Sequence, residues 1–121
     1  MFLAATNKVK RLLYLGYSQH VTEAEIKNEQ KNLATLLADL PPGFCVLADL
    51  SGLDSMDASC ATEIGKIMEM CDAKGVEVVV RVIPDPHKDI GLNILSLFHY
   101  RKPQRMVTCK NMEEAARQLS L

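Results

Sequence analysis

A short polar segment, Asp54-Ser55-Met56-Asp57-Ala58-Ser59, follows a nearly continuous apolar run from Phe44 to Leu50. Its carboxylates and hydroxyls are side chains that can take part in proton transfer, bind phosphates or contact a partner protein. The apolar run predicts a buried strand, and the residues after the segment predict a helix. Ligands, phosphates and partners usually meet an open α/β sheet at the carboxyl end of a strand and at a helix N-terminus. Segment 54–59 is therefore the first candidate for a functional site.

Three residues are of the types used in nucleophilic catalysis, namely His20, Asp57 and Ser59. If the strand ending near Tyr17 runs parallel to the next one, all three lie at the same end of the sheet. Acyl or phosphoryl transfer would need the His20 imidazole within hydrogen-bond reach of the Ser59 hydroxyl. However, Ser59 is not on a G-x-S-x-G turn, no oxyanion loop is recognisable, and His20 is expected in a loop. The sequence therefore favours a domain without enzymatic activity.

The acidic residues Asp49, Asp54 and Asp57 are of the type that binds magnesium. A magnesium site like that of response-regulator receivers needs an acidic pair after the first strand, where this chain has Ser18-Gln19-His20. The spacing also misses the D-x-D-x-D-G calcium loop. We therefore expect neither a bound metal nor a cofactor.

A crevice at the carboxyl ends of the strands would suit a small ligand. Its candidate polar residues are His20, Asp54, Asp85 and His87. A pocket holding a bound molecule at this end of the sheet would support ligand binding, and a flat surface would weaken it. Small-ligand binding therefore stays open as a second hypothesis.

Strand and helix signals alternate along the chain and define the scaffold around these residues. Apolar and β-branched runs predict strands at 2–5, 8–17, 44–50, 76–83 and 104–109. Capping patterns predict four helices, beginning near Thr22, Asp57, Asp85 and Asn111. Asp57 is expected to be the N-cap of the second helix. The predicted fold class is α/β, with about four or five mostly parallel strands, an antiparallel N-terminal edge strand and four helices.

Composition narrows the class of protein further. The chain has 121 residues, which suits a single domain spanning residues 1–121. Its net charge of −1 gives no electrostatic reason to expect nucleic-acid binding. No apolar run approaches the roughly 18 to 20 residues of a membrane span, and no signal peptide is recognisable, so we expect a cytoplasmic protein. The four scattered cysteines are expected to be buried, reduced thiols.

The stretch from Asp49 to Asp57 resembles the signature of the STAS family, the domain of anti-sigma factor antagonists and of sulfate-transporter tails. That signature is an apolar strand ending in D-L-S-G-V/L, two more residues, an apolar residue, and then D-S-S-G opening a helix. Asp49-Leu50-Ser51-Gly52-Leu53 matches its first part, and Met56 fills the apolar position. Glu113-Glu114-Ala115 is similar to a run in the family's last helix. The resemblance covers most of the chain and implies a STAS-like fold.

The chain departs from this signature at two positions. Ala58 stands where phosphorylatable members of the family carry the acceptor serine, and Cys60 stands in the glycine position. Ser59 matches the second serine, which the family does not ordinarily phosphorylate. A phosphate on Ser59 would meet a favourable helix dipole, but it would face the charges of Asp54 and Asp57. We therefore expect Ser59 to be an ordinary, exposed serine. Phosphorylation of Ser59 is the less favoured alternative.

The resemblance implies a non-enzymatic signalling domain of bacterial type that docks a protein partner, either an anti-sigma kinase or a transporter component. We expect the contact surface to run from residue 54 to residue 71, along the segment and the exposed side of the following helix. Its central residues are Asp54, Ser55, Met56, Asp57, Ala58 and Ser59. A homodimer and a role as a transporter accessory subunit stay as alternatives. Neither nucleic-acid binding nor membrane insertion is expected.

Overall fold

A central sheet with helices on both faces forms the scaffold. The computed structural model describes residues 1–85, 96, 99–102 and 104–120. In chain order its elements are β1 (Phe2–Asn7), β2 (Leu12–Val21), α1 (Glu23–Ala38), β3 (Cys45–Met56), α2 (Cys60–Lys74), β4 (Val78–Val82), β5 (Arg105–Cys109) and α3 (Met112–Leu119). No helix in the described part of the chain is both long and apolar enough to span a membrane.

The five strands lie in the order β1-β2-β3-β4-β5. β1 pairs antiparallel with β2, and every other neighbouring pair is parallel. This arrangement confirms the predicted α/β class, including the antiparallel edge strand at the N-terminus. Because β2, β3 and β4 are parallel neighbours, their carboxyl ends lie at the same edge of the sheet.

Among the described residues, two hydrophobic clusters cover the two faces of the sheet. The larger cluster lies between the sheet and the helices α1 and α2, and it includes Leu13, Leu15, Tyr17, Ile26, Leu33, Leu37, Val46, Leu50, Ile64, Ile67, Met68 and Val79. The smaller cluster lies on the face covered by α3 and consists of Leu47, Val80, Val82, Cys109 and Ala115. β3 and β4 contribute to both clusters, which explains their nearly continuous apolar sequence.

Local signals set three of the helix ends in the described residues. The Thr22 hydroxyl accepts the Glu25 backbone N–H at 3.3 Å, and the Glu25 carboxylate accepts the Thr22 N–H at 2.8 Å, which confirms the predicted capping box. Gly75 ends α2 at φ +92°, in the left-handed region that favours glycine. Asn111 caps α3 by accepting the Glu114 N–H at 2.9 Å, whereas the Glu114 carboxylate accepts the N–H of Lys110 instead of the cap's own.

The structure contradicts the predicted start of α2. Asp57 is not an N-cap, because β3 continues to Met56 and α2 begins at Cys60, with Ser59 at the cap position. The Asp57 N–H donates to the Val21 carbonyl at 3.1 Å, so pairing with β2 keeps the chain extended past Ser51 and Gly52, which have turn chemistry. For the same reason His20 lies in β2 and not in a loop.

The predicted third helix, which begins near Asp85, falls largely on residues 86–95, 97 and 98, outside the described residues. His87 lies outside them as well. The described residues contain the other three predicted helices. All four cysteines are free; three of them are buried, and Cys45 is half-buried.

Candidate functional site

β2 and β3 extend beyond the rest of the sheet at its carboxyl edge. β3 pairs with β4 only as far as Asp49, opposite Val82, whereas its pairing with β2 continues to Met56, opposite Val21. Residues 50–56 therefore leave β4 while β2 still supports them. This two-stranded projection carries segment 54–59 at its end.

Asp49 fixes the point where β3 leaves β4. Its Oδ1 accepts the Ser51 N–H at 3.0 Å and the Ser51 hydroxyl at 2.6 Å, while its Oδ2 accepts the Tyr14 hydroxyl at 3.0 Å. Burial, with this hydrogen bond to Asp49, raises the pKa of Tyr14. The Tyr14 ring lies over Gly16, where a Cβ would stand 2.8 Å from it. Asp49 is therefore a structural residue that shapes the strand.

His20 connects the two projecting strands through both of its ring nitrogens. Its Nδ1 is 2.7 Å from the Ser55 Oγ, and its Nε2 is 3.0 Å from the Asp57 Oδ1. A carboxylate only accepts hydrogen bonds, so in the neutral imidazole Nε2–H donates to Asp57 and Nδ1 accepts the Ser55 hydroxyl. The structure thus joins His20 to Asp57, as the sequence suggested, but the serine in contact is Ser55 and not Ser59.

Segment 54–59 is exposed although its backbone is held by β2. Met56 is half-buried, and the other five side chains are exposed: Asp54, Ser55, Asp57, Ala58 and Ser59. The next residue, Cys60, is fully buried, and its thiol donates to the Val21 carbonyl at 3.6 Å. Burial raises the pKa of Cys60, which is consistent with an inert structural thiol.

A cleft opens between the projecting part of β3 and the residues after β4. Its volume is about 390 Å³, and it is lined by Leu50, Ser51, Leu53, Asp54, Ser55, Met56, Ile83, Pro84 and Asp85. A pocket is therefore present at the carboxyl ends of the strands. Asp54 and Asp85 line it, whereas His20 is not among the lining residues.

Much of α2 is covered by neighbouring segments. Glu63 is buried against α1, where it accepts hydrogen bonds from Gln30 and from Lys66. Farther along, Glu69 is exposed, and its Oε1 is 3.0 Å from the His99 Nδ1. Cys71, the end of the predicted surface, is buried. The exposed side of α2 that adjoins segment 54–59 is its first turns, at Ala61, Thr62 and Lys66.

The fold of this chain is also found in solved structures. A protein of the DUF3478 family from Shewanella loihica PV-4, described as having a SpoIIAA-like fold, matches with a TM-score of 0.73 and 15% identity, over 98% of this chain and 92% of that one. This chain has the SpoIIAA-like (STAS) fold. No protein-family model and no curated protein matches its sequence.

SpoIIAA itself matches in two forms. The anti-sigma factor antagonist SpoIIAA in its unphosphorylated form matches with a TM-score of 0.65 and 12% identity, over 99% of this chain and 98% of that one. The Bacillus cell fate determinant SpoIIAA in its phosphorylated form gives a TM-score of 0.66 and 12% identity, over 98% and 99%. These likenesses confirm the fold that the signature around Asp49 implied.

Sequence reasoning missed the contact between Ser55 and His20. The residues from Ser51 to Met56 show no period-2 alternation, so nothing in them indicated a strand. The pairing also contains two register shifts, between Gly16 and Ser18 and between Gln19 and His20. Such irregularities decide which side chains meet, and the sequence carries no signal for them.

Proposed function

We propose that this chain is a non-enzymatic, cytoplasmic protein-interaction domain that binds its partner through segment 54–59 and the adjoining exposed residues of α2. The main observation that supports the proposal is that segment 54–59 is exposed while pairing with β2 holds its backbone in place. Five of its six side chains are exposed, while β2 pairs with the strand as far as Met56. A surface that is already ordered loses little conformational entropy on binding.

The chemistry of the segment suits a protein partner. Met56 and Ala58 provide a small apolar centre, and Asp54 and Asp57 provide charged groups around it. Protein interfaces commonly combine an apolar centre with a polar rim. Because the rim is acidic, a partner surface carrying arginine or lysine would be electrostatically complementary.

The shared fold supports the same proposal. One protein with this fold is named as an anti-sigma factor antagonist, which is a role defined by a protein partner. We therefore rank an anti-sigma kinase as the first class of partner and a transporter component as the second. Ala58 occupies the position of the acceptor serine in the STAS signature, so binding here would not be switched by phosphorylation at that position.

Affinity capture with matched variants tests the proposal. The bait is the wild-type chain, Asp54→Lys, Ala58→Arg or the control Asp39→Lys, which reverses an exposed carboxylate after the C-terminus of α1. We expect one protein from the source lysate to be retained by wild type and by Asp39→Lys. Its yield should fall about tenfold or more with each of the two segment variants. Equal capture by all four baits, with circular dichroism showing intact folds, would contradict the proposal.

The cleft favours small-ligand binding as a second candidate function. Its volume of about 390 Å³ is within the range of small-molecule sites, and its lining combines apolar side chains with Asp54 and Asp85. A titration with the neutral dye Nile red tests it, using Ser51→Trp to fill the cleft. Dye binding that is weakened by this variant supports a ligand site, and binding unchanged by it argues against one.

A further inference from the structure

The hydrogen bonds around His20 form a connected chain from a hydroxyl to a carboxylate. The Ser55 Oγ is 2.7 Å from Nδ1, and the Asp57 Oδ1 is 3.0 Å from Nε2. Asp57 thus selects the tautomer in which Nδ1 is free to take a proton from Ser55. This is the relation between nucleophile, base and orienting carboxylate that activates a serine hydroxyl.

We propose that Ser55 is a nucleophilic hydroxyl that accepts an acyl group from a neutral, activated carboxylic ester. In this proposal His20 is the general base, and Asp57 is a positioning residue that acts through His20. The inference goes beyond the docking function and does not depend on it. A single acylation modifies the chain and requires no turnover.

The reaction needs only the Ser55 hydroxyl and the ester, and these two account for every atom of the products. The Ser55 Oγ attacks the carbonyl carbon of the ester, forming a new C–O bond, while its proton passes to the His20 Nδ1. The tetrahedral adduct collapses by breaking the bond to the original alcohol oxygen. That oxygen takes the proton from His20, so the products are O-acyl-Ser55 and a free alcohol.

The cleft beside Ser55 indicates the class of donor. Ser55 shares this cleft with the apolar side chains of Leu50, Leu53 and Ile83, which could receive a short acyl chain. The carboxylate of Asp54 lines the same cleft and would repel an anionic phosphoryl donor. A neutral ester with a short apolar acyl group therefore fits the site better than a nucleotide does.

Ser59 provides a matched internal control. It is exposed and lies four residues along the same chain, at the N-cap of α2. Both nitrogens of His20 are bonded elsewhere, to Ser55 and Asp57. If exposure alone determined reactivity, Ser55 and Ser59 would be acylated at similar rates.

The experiment uses p-nitrophenyl butyrate as the probe on the intact chain. The release of p-nitrophenolate gives the rate, and peptide mapping by mass spectrometry locates the butyryl group. We expect labelling at Ser55, which is abolished in Ser55→Ala, and no comparable labelling at Ser59. His20→Gln should slow labelling of Ser55 about 100-fold, the lower end of general-base effects. Asp57→Asn should also slow it, because the asparagine amide no longer selects the reactive tautomer.

The pH profile separates general-base action from a merely structural role. The wild-type rate should rise from acidic to alkaline pH, because only a neutral imidazole accepts the Ser55 proton. His20→Gln should lose that rise while keeping its melting temperature. Equal labelling of Ser55 and Ser59, labelling confined to lysines, or a Ser55 rate unaffected by His20→Gln would overturn the proposal.

Discussion

At the scale of single residues, the hydrogen bonds of the Glu25 carboxylate make the stability of the native state depend on pH. The backbone hydrogen bond from Thr22 is the main cause that lowers the pKa of Glu25. The native state therefore favours the carboxylate form. Its stabilisation is present above the pKa of an unfolded glutamate and is lost as the pH falls through the lower native pKa.

The variant Glu25→Gln tests this linkage, because glutamine keeps the shape of the side chain but has no titratable group. We expect wild type to be more stable than Glu25→Gln at pH 7, with a difference that shrinks as the pH falls towards 3. Urea denaturation followed by circular dichroism measures the free energy of unfolding at each pH. A difference that stays constant over this range would show that the charge of Glu25 contributes nothing.

The cysteines give a second prediction at this scale. Burial raises the pKa of the Cys71 thiol to about 12, so this thiol stays protonated at pH 8. Cys60 and Cys109 are buried as well, whereas Cys45 is half-buried. Iodoacetamide at pH 8 should therefore modify Cys45 first in the native protein and reach the other three only after denaturation. Peptide mass spectrometry over time measures this order, and early modification of Cys71 would contradict it.

At the residue scale, the sequence predicted side-chain contacts between residues that are close together in the chain. The pairing of Thr22 with Glu25 was predictable, because both partners lie within one helical turn. The approach of His20 to Asp57 followed from the parallel sheet. The contact with Ser55 did not follow, because it depends on two register shifts in the pairing of β2 with β3.

At the scale of elements, the C-terminal end of α2 depends on one glycine. Gly75 has φ +92°, and a Cβ built there would lie 3.1 Å from the Cβ of Pro42. The Gly75 carbonyl also accepts the Gly43 N–H at 2.8 Å, so this turn packs against the loop before β3. The residue at this position must adopt a left-handed conformation in a tight space.

Gly75→Ala should therefore lower the free energy of unfolding by about 1 kcal/mol or more, since a left-handed conformation is costly for a residue with a Cβ. Gly75→Asn is the matched variant, because asparagine adopts this conformation more readily. Chemical denaturation should rank stability as glycine, then asparagine, then alanine. If Gly75→Ala and Gly75→Asn lower the free energy of unfolding equally, crowding against Pro42 would be the cause of the destabilisation, and backbone conformation would not.

Element order was predictable from the alternation of strand and helix signals, but one boundary was not. The Ser51-Gly52 pair has turn chemistry, and Asp57 has the chemistry of an N-cap, so local reasoning ended β3 early. In the structure, pairing with β2 overrides both preferences and extends β3 to Met56. The projection that carries the candidate site is therefore a tertiary effect.

At the scale of the whole molecule, the carboxyl ends and the amino ends of the parallel strands form two surfaces with different features. The carboxyl edge bears the projecting strands, the cleft and the carboxylates of Asp54, Asp57 and Asp85. Asp39 follows α1 and precedes β3, near the amino ends of the parallel strands. If binding uses the carboxyl edge, substitutions there should affect it, and substitutions at Asp39 should not.

Site-specific photo-crosslinking in cells tests most directly whether segment 54–59 binds a partner protein. A benzophenone amino acid is placed at position 58, inside the exposed segment, or at position 39 as the control. We predict a discrete crosslinked protein from position 58 that is absent from position 39 and is lost when Asp54→Lys is added. No crosslink at position 58, or the same products from both positions, would contradict the claim that segment 54–59 binds a partner.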